Sequence, residues 1–134
     1  MLLQIDLESE TPIYTQLVQC VIEGIAMKEL RPGEALPSVR SLAEDLGINL
    51  HTVNKAYQLL KQEGYVLINR KQGAVIQPGA FPPADDSYKL RLRSQLRPLV
   101  ADAICRGMTM EQFAEESRMM FAELLAKEEE EKHE

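Results

Sequence analysis

Side chains able to bind a nucleic acid are concentrated in the middle of the 134-residue chain. Lysine and arginine bind phosphate oxygens, and arginine, asparagine and threonine also hydrogen-bond to base edges in the grooves of DNA. The candidate contact residues are Arg40, Asn49, His51, Thr52, Asn54, Lys55, Arg70 and Lys71. Their types and their clustering predict a surface that contacts DNA.

The charge of the chain is unevenly distributed. The formal net charge is −6, which taken alone argues against a nucleic-acid ligand. Between Ser38 and Ile76, however, five basic and three acidic residues give +2, whereas the run from Lys127 to Glu134 carries −3. Because the local field governs contact with phosphates, the basic middle is compatible with DNA. The acidic end is most simply a solvated helix terminus.

Three helices and a β-hairpin are predicted to position these candidates. Turn and capping signals bound helices over residues 12–30, 37–47 and 49–64, and the last two of these end at glycine. Apolar, partly β-branched runs at Tyr65–Ile68 and Ala74–Gln77 flank five polar residues that end in glycine, which predicts a two-stranded hairpin.

The second and third predicted helices have the spacing of a helix-turn-helix. Ala43 is small where the two helices approach, Gly47 makes the turn four residues later, and Val53 packs back into the angle. Asn49 is the predicted N-cap of the third helix. A preceding helix, a helix-turn-helix and a hairpin with Arg70 and Lys71 at its tip together describe a winged helix.

A separate helical segment follows the proline-rich stretch. We predict an α+β chain with a winged helix-turn-helix domain at 1–78, a linker at 79–86 and an all-α two-helix segment at 87–134. Two helices packed on each other leave one apolar side of the pair exposed to water. The apolar stripes of these helices must therefore meet another surface, most commonly that of a second copy of the chain. The predicted dimerisation residues are Leu92, Leu96, Leu99, Phe113, Met120, Phe121 and Leu124.

Three motifs resemble the GntR family of bacterial regulators. They are LPSVRSLAEDLG at residues 36–47, TVNKAY at 52–57 and LKQEGY at 60–65, followed by Gly73. The short second segment is similar to the YtrA-like branch, in which two helices serve dimerisation. The resemblance implies a homodimeric DNA-binding repressor that binds an inverted-repeat operator, often one that controls a nearby transporter operon.

The resemblance also implies particular DNA contacts. The matching positions of the helix-turn-helix are Ser38, Arg40, Thr52 and Lys55. Gly73, beside Lys71, lets the tip of the hairpin approach the minor groove. Substitution of Lys71 is therefore expected to weaken all DNAs equally, and substitution of Thr52 or Lys55 to change the sequence preference as well. Leu50 and His51 depart from the commoner family pattern, which puts the operator sequence in doubt.

Other functions have less support in the sequence. His51 and His133 have no metal-ligand spacing, and neither a phosphate loop nor a nucleophile motif occurs, so we expect no enzyme, no metal and no cofactor. A winged-helix adaptor that binds proteins is the alternative function. An effector in the helical segment stays open, and Arg40 could instead pair with Glu44. Without a signal peptide or a long apolar run, the expected location is the cytoplasm, away from membranes.

Overall fold

The computed structural model describes residues 4–133, with side chains for residues 4–126. The chain forms two compact units that divide between Pro82 and Pro83. Helices and a two-stranded antiparallel sheet make up the first unit, and the second is entirely helical, which confirms the predicted α+β class. Among the described residues, no helix is both long and apolar enough to cross a membrane.

The first unit contains three helices and then a hairpin. Its elements are α1 (Ile13–Ala26), α2 (Val39–Leu46), α3 (Leu50–Gln62), β1 (Val66–Asn69) and β2 (Gly73–Ile76). The register of the hairpin pairs Val66 with Ile76 at one end and Asn69 with Gly73 at the other. The loop between the strands therefore has three residues, two fewer than the polar run suggested.

One apolar core holds these elements together. It is centred on α3, which packs against α1, α2 and β1. Its members include Leu17, Val21, Leu42, Ala43, Val53, Ala56, Tyr57, Leu60, Val66 and Ile76, each at most 6% exposed. Burying a side chain of leucine size contributes about 1.5–3 kcal/mol, so this unit has a substantial core of its own.

The first helix differs from the prediction at both ends. Pro12 is the N-cap itself, without a side-chain hydrogen bond, and α1 starts at Ile13 rather than after a threonine cap. The helix ends at Ala26 instead of near Leu30, because the backbone N–H of Leu30 turns back to the carbonyl of Gly24 at 3.0 Å. A Cβ on Gly24 would lie 2.9 Å from Leu30 Cδ1, so the buried Leu30 side chain packs directly on this glycine.

The segment before α1 is held by one glutamine. The Gln16 side chain accepts from the backbone N–H of Asp6 at 2.8 Å and donates to the carbonyls of Asp6 and Thr11 at 3.0 and 2.9 Å. These three hydrogen bonds fix residues 6–11 against the first turn of α1.

The end of the first unit is tied down by aromatic and proline contacts. The rings of Tyr65 and Phe81 lie 5.9 Å apart, centroid to centroid. A Cβ on Gly64, whose φ is +85°, would meet Pro82 Cγ at 2.6 Å. Pro82 therefore packs directly on the turn between α3 and β1.

The second unit consists of α4 (Asp86–Cys105) and α5 (Met110–His133). Asp85 caps α4 by accepting from the N–H of Tyr88 at 2.8 Å. A capping box starts α5, since the Thr109 N–H donates to the Gln112 side chain at 2.8 Å and the Gln112 N–H donates to Thr109 Oγ1 at 3.1 Å. Local sequence signals thus determine both helix starts.

The two helices of the second unit leave most of their apolar side chains exposed. No side chain of α4 is buried, and α4 and α5 do not pack along each other. The predicted dimerisation residues Leu92, Leu96, Leu99, Met120 and Phe121 are exposed, and Phe113 and Leu124 are half-buried. Most of the predicted dimerisation residues therefore lie exposed on the second unit.

Candidate nucleic-acid interface

The turn between α2 and α3 has the predicted geometry. Gly47 adopts the left-handed conformation, with φ of +66°, which a residue with a side chain adopts only at a cost. Ala43 is 6% exposed where the helices meet, and Val53 is fully buried in the angle. The N–H of Ile48 donates to the carbonyl of Ala43 at 3.0 Å and closes the turn.

The first turns of α2 and α3 carry matching caps. Ser38 Oγ accepts from the N–H of Ser41 at 3.0 Å, and Asn49 Oδ1 accepts from the N–H of His51 at 2.8 Å. The Ser38 hydroxyl hydrogen and the Asn49 amide group keep their capacity to donate. Each helix start can thus present side-chain donors and the positive end of its dipole to a phosphate.

Three of the predicted contact residues meet in one open cleft. It lies between the starts of α2 and α3 and is lined by Val39, Arg40, Leu50, His51 and Asn54. Arg40, His51 and Asn54 are exposed. In the part of the chain that the structure describes, Arg40 makes no ion pair with Glu44, so the alternative role of Arg40 as a helix-surface partner is not realised.

The other two residues predicted on α3, Thr52 and Lys55, do not line the cleft. Lys55 Nζ lies over the ring of Tyr14 on α1, 3.9 Å from its centroid, and Thr52 is half-buried one turn earlier. A lysine ammonium over an aromatic face is held by about 0.5–1 kcal/mol at an exposed site. Lys55 is thus anchored to α1 and does not line the cleft.

Sequence reasoning missed the positioning role of Tyr57. This residue was expected to be a core aromatic, and it is indeed buried, but its hydroxyl also donates to the carbonyl of Pro37 at 2.7 Å. Burial raises the pKa of Tyr57 to about 12. The bond ties α3 to the residue before Ser38, so it fixes where α2 begins. The only signal in the sequence was that a buried tyrosine hydroxyl needs a partner.

The segment before α2 is also fixed from the β-hairpin side. The N–H of Leu36 donates to the carbonyl of Ala74 and the N–H of Ile76 donates to the carbonyl of Glu34, both at 2.8 Å. Residues 34–36 therefore run along β2 as a short third edge. This pairing and the Tyr57 bond together orient the start of α2, which carries Ser38 and Arg40.

The hairpin tip presents its basic residues to solvent. Arg70, Lys71 and Gly73 are all exposed, and Gly73 has φ of +69°. Asn69 Oδ1 accepts from the N–H of Gln72 at 2.6 Å and so tightens the loop. The tip is compact, with two cations side by side.

Among the described residues, no group of histidine, cysteine, aspartate and glutamate could hold a metal ion.

A helix-turn-helix whose second helix exposes polar side chains in its first turns, followed by a basic two-stranded wing, defines a winged helix-turn-helix protein. Residues 13–76 match the family described as "Bacterial regulatory proteins, gntR family". The chain belongs to the GntR family, whose members bind DNA, and it falls in the YtrA-like branch. It is a transcriptional regulator and not an enzyme.

Both sequence and structure relatives support this assignment. The HTH-type transcriptional repressor YtrA of Bacillus subtilis (strain 168) is 36% identical over 114 residues, which cover 85% of this chain and 88% of that protein. A solved structure of YtrA from Sulfolobus acidocaldarius, a GntR-family transcription factor, has a TM-score of 0.61 at 40% identity, covering 75% of this chain and 99% of that chain. A transcriptional antiterminator from Listeria monocytogenes EGD-e has a TM-score of 0.84 at 25% identity, covering 93% of each chain.

Proposed function

We propose that the chain is a homodimeric repressor that binds an inverted-repeat operator and acts in the bacterial cytoplasm. The observation that carries this proposal is the cleft in which Arg40, His51 and Asn54 lie exposed together at the starts of α2 and α3. In helix-turn-helix proteins the first turns of the second helix contact base edges in the major groove. The cleft residues therefore have the types and the location that base reading requires.

The contact residues divide into two roles. Arg40 and Asn54 suit guanine and adenine edges respectively, His51 lies between them, and Leu50, 40% exposed, can touch a thymine methyl. Ser38 and Asn49 serve phosphates through the helix starts that they cap. Leu50 and His51 depart from the commoner family pattern. Because this assignment places both residues against the bases, we expect the operator sequence to differ as well.

Lys55, Thr52 and the wing take the positioning role. Because Tyr14 holds the Lys55 ammonium on the α1 side of α3, we assign Lys55 to the phosphate backbone instead of a base edge. Thr52 lies one turn earlier on the same side. Arg70, Lys71 and the tight turn at Gly73 suit phosphates or the minor groove.

The dimer is proposed from the uncovered stripes of α4 and α5. A twofold dimer would present two copies of α3 to successive major grooves about 34 Å apart, which is the spacing of an inverted repeat. Repression follows if the operator overlaps a promoter, in keeping with the name of the Bacillus relative as a repressor. A transporter operon is the proposed target on the basis of the family resemblance.

Fluorescence anisotropy tests the proposal by measuring the affinity of the protein for promoter DNA from the operon that encodes it. The affinity for random DNA is measured in the same way, and both are followed over a series of salt concentrations. We expect a preference for the operator of about 10³-fold or more, with an affinity that falls as salt rises. The variant Lys61→Ala, which removes an exposed cation at the far end of α3, is the control and should leave the preference unchanged.

Negative results would separate the alternatives. If binding stays weak for promoter DNA, for fragments selected from the genome and for both in the presence of cell-extract metabolites, the operator-specific proposal is contradicted. In that case the winged-helix adaptor becomes the better description. A preference that appears only with metabolites would instead support an effector.

A further inference from the structure

The cleft between the starts of α2 and α3 is partly apolar. Val39 is the first residue of α2 and Leu50 the first residue of α3, and both line the cleft, which has a volume of about 360 Å³. Val39 is half-buried, whereas Leu50 is 40% exposed. The other lining residues are the polar Arg40, His51 and Asn54. The cleft therefore offers an apolar surface beside hydrogen-bonding groups.

The exposed Leu50 side chain lies outside the core of the first unit. The cap of α3 is made by the His51 N–H and Asn49 Oδ1, 2.8 Å apart, without the Leu50 side chain. The buried residues of this helix are instead Val53, Ala56, Tyr57 and Leu60. A leucine left in water forfeits the stabilisation that burial would give it. The position of Leu50 in the cleft therefore suits contact with a ligand better than it suits folding.

The major groove of DNA presents one apolar group, the C5-methyl of thymine. In 5-methylcytosine the same methyl is attached to the same ring position, whereas unmodified cytosine has a hydrogen atom there. An apolar side chain in the major groove thus distinguishes a C5-methylated pyrimidine from cytosine. The apolar part of the cleft has the chemistry that this distinction requires.

Arg40 supplies a polar contact directly beside this apolar surface. It follows Val39 in the chain and lines the same cleft, with its side chain exposed. An arginine guanidinium binds O6 and N7 of guanine with two hydrogen bonds. Because successive bases of one strand lie about 3.4 Å apart along the DNA axis, side chains that line one cleft contact neighbouring base pairs.

We propose that the cleft reads one C5-methylated pyrimidine next to a guanine in each half-site, with Val39 and Leu50 against the methyl and Arg40 on the guanine. Thymine and 5-methylcytosine both supply this methyl group. The proposal rests on the proposed operator binding and adds which group on the bases the apolar residues detect. In a site where the pyrimidine is cytosine, methylation of that cytosine consequently raises the affinity.

Replacement of single bases in the operator tests the methyl contact. Uracil lacks only the methyl group of thymine and keeps its hydrogen-bonding groups, so each thymine of the half-site is replaced in turn by uracil. In a second series, each cytosine is replaced in turn by 5-methylcytosine. Every change is made in both half-sites, and competition anisotropy gives the Kd of the full-length protein.

The two series distinguish the two sources of the methyl group. Loss of one buried methyl corresponds to about three- to fourfold in affinity, and therefore to about tenfold over two half-sites. If the methyl belongs to thymine, one uracil position should weaken binding about tenfold. If it belongs to 5-methylcytosine, one methylated position should strengthen binding about tenfold.

Leu50→Ala shows whether the cleft is the part of the protein that detects the methyl. The side chain is exposed and alanine is a good helix former, so the variant should fold. At the position that the series identify, its affinity should change by less than about twofold. Leu67→Ala is the matched control, because Leu67 is 42% exposed and lies on β1, outside the cleft. This control should respond to the base changes as the wild type does.

Two results would overturn the methyl contact. The first is a wild type whose Kd changes by less than about twofold at every position of both series. The second is a Leu50→Ala variant that responds to the base changes as strongly as the wild type. A protein that prefers its operator but gives either result contradicts the methyl contact alone. A protein without any operator preference contradicts the proposed function and the methyl contact with it.

Discussion

The two units of the chain differ in how much of their own apolar surface they cover. In the first unit Leu60 is 1% exposed and Ile76 is fully buried, whereas in the second unit Leu99 is 59% and Phe121 66% exposed. The first unit thus has a core that a single chain completes. If the chain dimerises as proposed, the stability of the second unit depends on the second copy and therefore on protein concentration.

This difference suits two separate roles, DNA contact for the first unit and self-association for the second, as proposed above. The residues proposed to contact DNA are polar and belong to the unit with a core of its own, since Arg40 and Asn54 extend from helices that pack through Leu42 and Val53. The surfaces proposed for self-association are apolar and exposed, which a stable monomer rarely tolerates over such an extent. The following predictions test the contrast, beginning with the largest effect.

Breaking the second unit should have the greatest effect on DNA binding. The variant Phe121→Glu with Leu124→Glu is expected to be monomeric and to bind the operator about 100-fold more weakly, because two linked half-sites are replaced by one. Sedimentation gives the mass and anisotropy the affinity. Ala122→Glu with Ala126→Glu adds the same charge on the other side of α5 and should stay dimeric. An unchanged mass of the first variant would contradict the assigned interface.

Matched leucine truncations compare the two units directly. In the monomeric background, Leu60→Ala is expected to lower the free energy of unfolding by about 2–5 kcal/mol, because it leaves a cavity in the core. Leu99→Ala in the same background should cost less than about 0.5 kcal/mol, since its side chain is already exposed. Urea unfolding measures both. Equal losses would show that the second unit has a core of its own.

Substitutions on the first unit should separate base reading from phosphate contact. Arg40→Ala or Asn54→Ala is expected to cost about 1–3 kcal/mol of discrimination between operator and random DNA. Lys71→Ala should weaken both DNAs equally and reduce the salt slope by about one. Competition anisotropy over a salt series gives these quantities. If all three variants lose affinity uniformly, the cleft does not read bases.

Tyr57→Phe should reduce the free energy of unfolding by about 1 kcal/mol at neutral pH, since the hydrogen bond to Pro37 is lost. The pKa of Tyr57 is about 12 in the folded chain, compared with 10.0 for an ordinary tyrosine. The unfolded chain therefore releases this proton first, and the stabilisation is complete below pH 10 and lost by about pH 12. The free energy of unfolding is measured from pH 9 to 12 for the wild type and for Tyr57→Phe. The decrease caused by ionisation of Tyr57 should occur only in the wild type.

The smallest effect is expected at the aromatic anchor of Lys55. Tyr14→Leu removes the ring below the ammonium and should weaken operator and random DNA alike by about two- to fivefold. Tyr14→Phe keeps a ring and serves as the matched control, with binding close to that of the wild type. A change in sequence preference with Tyr14→Leu would return Lys55 to a base-reading role.

Local signals in the sequence predicted the fold well. The N-cap at Asn49 and the left-handed turn at Gly47 depend on residues within four positions of one another, and both occur in the structure. The helix-turn-helix spacing is local in the same sense. Hence element order and turn positions could be predicted from the sequence.

Contacts between distant residues were not predictable in the same way. The bond from Tyr57 to Pro37 spans 20 residues, and Lys55 meets Tyr14 across two helices. From the sequence alone, each of these side chains could contact several partners. The packing of the core determines which partner lies within reach. The candidate residues of α3 were therefore predicted as one set, although the structure separates Lys55 from the cleft that His51 and Asn54 line.

Pro82 has a consequence for recombining this protein with others. Pro82 packs on Gly64, and its neighbour Phe81 contacts Tyr65. The last residues before the boundary between the two units therefore belong to the folded winged helix-turn-helix unit. A chimaera that joins a foreign dimerisation module after Pro82 should retain these contacts. A junction placed at residue 78, two residues after β2 ends, would remove both. The useful cloning boundary is thus set by two side-chain contacts and lies several residues beyond the last strand.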